Sequence, residues 1–229
     1  MSKCPKAVIF DLDGTLVHSA IDFPRMKLEI IRQFKEAGVP ETLLSNDMTV
    51  SSNMESARMY LLQKGQERVL LEIEEEIERG LSSIEMEALP DVEEVKEARK
   101  TLIWIKEKGL AIGVLTRGSR RYASKVLKKT SLESFIQCMI CRDDFPWWEA
   151  KPNGLALRRL VQELGVDPSE TLLVGDHCMD LECARSTGTK FVGVLTGSCD
   201  ESGWIKEGLE SIIDSIAFLP DYIERTCGP

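Results

Sequence analysis

Ala7-Val8-Ile9-Phe10-Asp11-Leu12-Asp13-Gly14-Thr15-Leu16 decides how the rest of the chain is read. Four apolar residues in a row, without polar alternation, describe a strand buried on both faces. The run stops at two acids one residue apart and a glycine, so a tight turn follows the strand at once. Similar runs recur at Leu110–Leu115, Cys138–Ile140, Thr171–Val174 and Phe191–Leu195. None alternates, as expected of a parallel sheet covered by helices on each side.

Helical patterns separate these runs. Val92, Val95, Ala98, Leu102 and Ile105 share one stripe, with Asp91 as its start signal and Gly109 as its stop. Leu155, Leu157, Leu160, Val161 and Leu164 form a second apolar face closed by Gly165, and Ser119 to Lys129 a third helix. Between Leu16 and Pro90 no convincing strand run occurs. Leu28, Ile31 and Phe34 suggest one helix, with Pro24 near its start and Gly38 after it. Ser52-Asn53-Met54-Glu55 has the pattern of a capping box opening a second, which Gly65 interrupts. Val69, Leu70, Ile73 and Ile77 define a third, closed by Gly80. The expected architecture is therefore α/β: a Rossmann-like, doubly wound parallel sheet from residues 1–16 and 91–229, with an inserted all-helical cap at 17–90.

The chain has 229 residues, enough for one large domain or a domain with a modest insertion. Its hydrophobic content of 43% excludes intrinsic disorder. The net charge of −9 speaks against a nucleic-acid or anionic membrane partner. No apolar stretch reaches membrane-spanning length, and the N-terminal run turns acidic too soon for a signal peptide. Seven cysteines, an odd number without a secretory leader, read as reduced thiols in a cytoplasmic protein.

Ligands of open α/β sheets bind at the carboxyl ends of the strands. Asp11 and Asp13 end the first strand there. Adjacent carboxylates repel each other unless a cation sits between them, and oxygen ligands favour a hard ion such as Mg²⁺. Thr116 offers a hydroxyl after the second strand, and Asp176 and Asp180 add two acids after the fourth. Lys151, before Pro152, can neutralise a phosphoryl group from a loop over the same edge. Each piece alone reads equally well as a turn residue, a helix cap or a solvated charge. Together and in this order they point to metal-assisted phosphoryl chemistry.

With those residues in this order, the chain resembles the haloacid dehalogenase-like hydrolases, in their phosphoglycolate phosphatase-like branch. Asp11-Leu12-Asp13-Gly14-Thr15 resembles the first motif, Thr116 the second, Lys151-Pro152 the third, and Gly175-Asp176 through Asp180 the fourth. The resemblance implies that Asp11 is the nucleophile and Asp13 the general acid/base. It implies Mg²⁺ held by the Asp11 and Asp176 carboxylates and the Asp13 carbonyl, with Asp180 supporting the site. Thr116 and Lys151 would hold the phosphoryl oxygens, and the cap would open for substrate and close for chemistry. The implied substrate is a small phosphorylated metabolite, with phosphoglycolate the first choice, acted on by a monomer or homodimer. Two positions depart from the pattern: Arg117-Gly118 follows Thr116 where Asn is common, and His18 stands where an Asp is common. Arg117 is accordingly a further candidate for phosphate binding.

A phosphosugar mutase would share Asp11 and Asp13, and a non-catalytic binding or regulatory protein would share the fold. The complete set of Asp11, Asp13, Thr116, Lys151, Asp176 and Asp180 argues against the latter. Cys138-Met139-Ile140-Cys141 lacks the second pair that a zinc site needs, so buried thiols are expected. Trp147 and Trp148 read as packing at the edge of the core.

Overall fold

A computed structural model describes residues 4–227. In chain order its elements are β1 (Ala7–Phe10), β2 (Val17–His18), α1 (Phe23–Glu36), α2 (Val50–Gln63), α3 (Glu67–Ala88), β3 (Glu93–Glu94) and α4 (Ala98–Glu107). Then follow β4 (Ala111–Leu115), α5 (Arg120–Lys129), β5 (Cys138–Ile140), α6 (Gly154–Glu163), β6 (Thr171–Gly175) and α7 (Cys178–Thr187). The last are β7 (Lys190–Val194), α8 (Glu201–Lys206), β8 (Ile212–Ile213) and α9 (Leu219–Cys227). The chain divides into two compact units, Met1–Ser19 with Asp91–Pro229, and Ala20–Pro90.

In the first unit six strands form one parallel sheet in the order β5-β4-β1-β6-β7-β8. Every residue of β1 is buried, and β1 is flanked by β4 and β6. This is the α/β, Rossmann-like sheet expected from the unalternated apolar runs. The chain winds from β1 out to β5 and then crosses back to β6, which makes the centre of the sheet its topological switch point. The edge strand β8 had no signal, since two residues are too few to establish a period.

Two boundaries differ from the sequence reading. The helix expected to start after Asp91 begins only at Ala98, because Glu93 and Glu94 pair antiparallel with His18 and Val17. Val92 and Val95 are buried beside this ribbon rather than on a helix. Val17 and His18 likewise form a strand inside a stretch that reads as strandless. Two residues on each side, joined across a long gap in sequence, leave no local pattern to detect.

The second unit is all helical in its described elements. Met26, Ile30, Ile31 and Phe34 of α1 and Leu70, Ile73, Ile77 and Leu81 of α3 supply its buried faces. Two signals differ here as well. The cap of α2 is Thr49, whose hydroxyl accepts from Ser52 N at 3.0 Å, so Ser52 lies inside the helix it was expected to open. Gly80 does not close α3, which continues to Ala88. A Cβ there would lie 3.2 Å from the Glu29 side chain, so Gly80 allows α1 to approach closely.

The thiol expectation needs one correction. Cys4 and Cys227 form a disulfide with Cα atoms 5.0 Å apart, joining the chain just before β1 to the end of α9. Their sequence separation of 223 residues hides this from inspection of the chain. Cys138, Cys141, Cys178, Cys183 and Cys199 are free. Cys141 is buried as expected, whereas the half-buried Cys138 donates to Glu163 at 2.7 Å.

Trp204 anchors α8 to the sheet. It is fully buried, its ring meets Phe191 at 5.6 Å, and Nε1 donates to the Val194 carbonyl at 3.2 Å. Trp204→Ala removes both the packing and a buried donor. It should lower the unfolding free energy by about 3–5 kcal/mol in denaturant titration. A change below about 0.5 kcal/mol would contradict this anchoring role.

Candidate active site

The carboxyl ends of β1, β4 and β6 lie side by side at the centre of the sheet. Asp11 follows β1, Thr116 follows β4 and Asp176 follows β6. Asp11 N donates to the Val174 carbonyl at 2.9 Å, so the β1–β6 ladder continues up to the first acid. Asp11, Asp176 and Asp180 are all buried, with carboxylate oxygens within 4.8 Å of one another.

Lys151 enters from the loop before α6 and is itself buried. Its ammonium donates to Asp11 Oδ1 and lies 2.7 Å from Asp180 Oδ1. The second contact is an ion pair without hydrogen-bond alignment, so Asp180 Oδ1 has no hydrogen-bond partner. The other oxygen of Asp180 accepts from His177 N at 3.1 Å, while His177 Nδ1 accepts from Met179 N at 3.1 Å. The structure thus unites two readings of Asp180: it caps α7 and also faces the lysine.

Asp176 is held from two sides. Its Oδ2 accepts from Ser198 N at 2.6 Å, and its Oδ1 receives the Thr15 hydroxyl at 3.5 Å. The loop after β7 is the part of this rim that sequence reasoning missed. There Thr196 Oγ1 donates to the Gly14 carbonyl at 2.6 Å, and Cys199 N donates to the Asp176 carbonyl at 3.0 Å. The signal was present, since Leu195-Thr196-Gly197-Ser198 ends a strand of the same parallel sheet.

Electrostatics follow from burial. Desolvation pushes the Asp11 carboxyl well above its usual range, and the charges of Asp180 and Asp176 add to this while Lys151 opposes it. Asp180 is raised as well, first by desolvation and against the pull of Lys151. Burial disfavours the Lys151 ammonium, but the attraction of Asp11 and Asp180 outweighs it and holds the amine protonated. Three buried carboxylates against one ammonium leave two negative charges uncompensated. That surplus, together with an all-oxygen donor set, fits a hard divalent cation.

Asp13 is not part of this carboxylate cluster. Its Oδ1 accepts from the Tyr122 hydroxyl at 2.8 Å, a contact that nothing in the sequence announced. Its backbone bridges to Val17, and Gly14 N donates to Val17 O at 2.7 Å. Thr116 is buried, and its hydroxyl oxygen accepts from Gly118 N at 2.9 Å. That bond fixes the oxygen and leaves the hydroxyl proton at the end of β4. Arg117 donates through Nη1 to the Lys151 carbonyl at 2.8 Å, and Arg142 donates to the Arg117 carbonyl at 2.7 Å. The structure therefore gives Arg117 a role in tying two loops together. Trp147 and Trp148 pack edge to face at 6.1 Å.

The family model described as haloacid dehalogenase-like hydrolase matches residues 8–194. The chain belongs to this family. A phosphoglycolate phosphatase of Pseudomonas putida is 26% identical over 98% of this chain and 82% of its own length. An N-acetylmuramic acid 6-phosphate phosphatase of Pseudomonas aeruginosa is 26% identical, covering 96% and 95%. Pyrophosphatase PpaX of Anoxybacillus flavithermus is 25% identical, covering 94% and 90%. Among solved structures, a HAD phosphatase from Thermococcus onnurineus superposes with a TM-score of 0.60 at 22% identity, covering 95% of this chain and 97% of its own. The resemblance to the phosphoglycolate phosphatase-like branch, read from the motifs, agrees with these similarities, and the enzyme is of the phosphatase kind.

Gly14 has φ +84°, and a Cβ on it would lie 2.6 Å from Asp176 Oδ2. Gly14→Ala should therefore displace that carboxylate. Titration calorimetry with a divalent cation should show affinity lower by about tenfold or more. Stability should also fall by about 1 kcal/mol from the left-handed backbone. Unchanged cation affinity would mean that Asp176 does not bind the ion.

Proposed function

We propose that this enzyme hydrolyses a small phosphomonoester with Mg²⁺, through an aspartyl-phosphate on Asp11, and that phosphoglycolate is its first candidate substrate. The observation that carries the proposal is the buried cluster of Asp11, Asp176 and Asp180 around one lysine, with its two surplus negative charges. The names of the relatives support the substrate class, since they span a phosphoglycolate phosphatase, a sugar-acid phosphate phosphatase and a pyrophosphatase.

In this proposal a carboxylate oxygen of Asp11 attacks phosphorus in line. The Asp11–phosphorus bond forms, the ester P–O bond breaks, and Asp13 gives its proton to the leaving oxygen. Water then attacks the phosphoryl group and passes a proton to Asp13. The bond to Asp11 breaks and inorganic phosphate leaves. Lys151 and the Thr116 hydroxyl hold phosphoryl oxygens, and Arg117 joins this set from the loop it ties to Lys151. The Asp11 and Asp176 carboxylates and the Asp13 carbonyl would hold Mg²⁺, with Asp180 in support. When bound, the ion neutralises charge on the phosphoryl oxygens and on the acids around it. A cytoplasmic setting belongs to the same proposal. The five free thiols support it, whereas the Cys4–Cys227 disulfide points the other way.

The test is phosphate release from a panel containing phosphoglycolate, N-acetylmuramic acid 6-phosphate, pyrophosphate and hexose phosphates. Chelation should abolish release, and added Mg²⁺ should restore it. Asp11→Asn should lower kcat by at least about 10³-fold on every substrate without unfolding the protein. Release from no panel member by folded wild type would overturn the proposal. Phosphate transfer that needs a hexose bisphosphate would favour a mutase instead.

A further inference from the structure

Tyr122 of α5 is fully buried, and its hydroxyl reaches the site. It sits in the first turn of that helix, where Ser119 Oγ accepts its backbone N–H at 3.3 Å. Its ring lies against Gly118, where an added Cβ would be 3.1 Å from Tyr122 Cδ1. The ring is therefore confined by its own helix cap and by the loop that carries Thr116. A tyrosine has two side-chain torsions, and burial without a void fixes both. The hydroxyl at the end of this rigid arm donates to Asp13 Oδ1 at 2.8 Å.

Asp13 stands on a short, strongly bent segment between β1 and β2, and its carboxylate does not share the Lys151 ion pairs. A hydrogen bond from a rigid donor narrows the χ1 and χ2 freedom of an aspartate in such a turn. We propose that Tyr122 is a positioning residue for Asp13. It fixes Oδ1 as a hydrogen-bond acceptor, so the proton delivered to the leaving oxygen travels on Oδ2. This inference rests on the proposed acid/base role of Asp13 and adds a residue outside the strand-end motifs. Tyr122 acts through the carboxylate of Asp13. The proton balance is that of the proposed reaction: Oδ2–H is lost as the ester P–O bond breaks, and is regained from the hydrolytic water.

The role predicts a dependence on the leaving group. An alkyl phosphate needs a proton on its departing oxygen, whereas p-nitrophenolate leaves without one. Tyr122→Phe keeps the ring and deletes the donor. Its kcat on the best alkyl substrate of the panel should fall by about 10-fold or more, with KM within about 2-fold. On p-nitrophenyl phosphate kcat/KM, which reports steps only up to departure of the leaving group, should change by less than about 3-fold. Inhibition by inorganic phosphate and the thermal midpoint should match wild type. Asp13→Asn should show the same discrimination more strongly, and Asp11→Asn should abolish turnover of both substrates.

Replacing Tyr122 by p-aminophenylalanine, which keeps a donor, should restore alkyl turnover, while p-methylphenylalanine, of similar size, should not. This pair decides the matter if the phenylalanine variant does not fold. Equal losses of kcat/KM on both substrates, no loss on either, or rescue by the methyl analogue would overturn the inference. If Asp13→Asn itself fails to discriminate between the leaving groups, the acid/base reading of Asp13 falls first. If Asp13→Asn discriminates and Tyr122→Phe does not, only the role of Tyr122 falls.

Discussion

Lys151 places one ammonium between Asp11 and Asp180, out of contact with water. Much else at the site depends on how that charge is carried. A buried ion is costly unless its partners surround it, and removing one partner leaves the others uncompensated. Here the partners come from three places in the sequence: the end of β1, the loop before α6, and the first turn of α7. None could hold its charged state in that position alone. The ion pairs therefore fix the mutual arrangement of three segments and leave a negative surplus that attracts a cation. The same charge that organises the fold at this point defines its chemistry.

The sheet supplies the geometry that makes this possible. Parallel strands deliver their next residues to one edge, and β1 lies between β4 and β6 at the point where the winding reverses. The acids are then locked by backbone rather than by other side chains alone. Asp180 answers the amide of His177, and Asp176 answers the amide of Ser198. Backbone donors cost little entropy on ordering and hold a carboxylate in one orientation. Rigidity of this kind keeps the acidic cluster in one arrangement at the edge of the sheet.

What the sequence revealed follows from the same geometry. Asp11, Thr116, Asp176 and Asp180 are legible because each lies just beyond an unalternated apolar run, and Lys151 because an anion site at that rim calls for a cation. Gly80 misled because a helix-ending glycine and a glycine that admits a neighbouring helix look alike in one dimension. Val92 and Val95 fit a helical stripe, yet ribbon pairing of Glu93 and Glu94 with β2 outcompeted helix propensity. Tyr122 was hidden for a different reason. Its reach to Asp13 depends on the direction in which α5 leaves the sheet, and no local pattern encodes that direction. The Ser198 contact was within reach of the strand-end argument, which needed only to be carried on to β7.

Arg117 shows how a departure from a family pattern acquires a physical meaning. In place of a short amide the chain carries a guanidinium that reaches the Lys151 carbonyl, while Arg142 reaches the Arg117 carbonyl. Both bonds join the loop after β4 to the connection between β5 and α6, which carries Arg142 and Lys151. A charged donor to a carbonyl makes a stronger tie than a neutral one. The ammonium of Lys151 is anchored at its tip by two carboxylates and at its backbone by Arg117. Held at both ends, the lysine is confined to one position among the acids. The arginine thus bears on the acidic cluster through the position of the lysine.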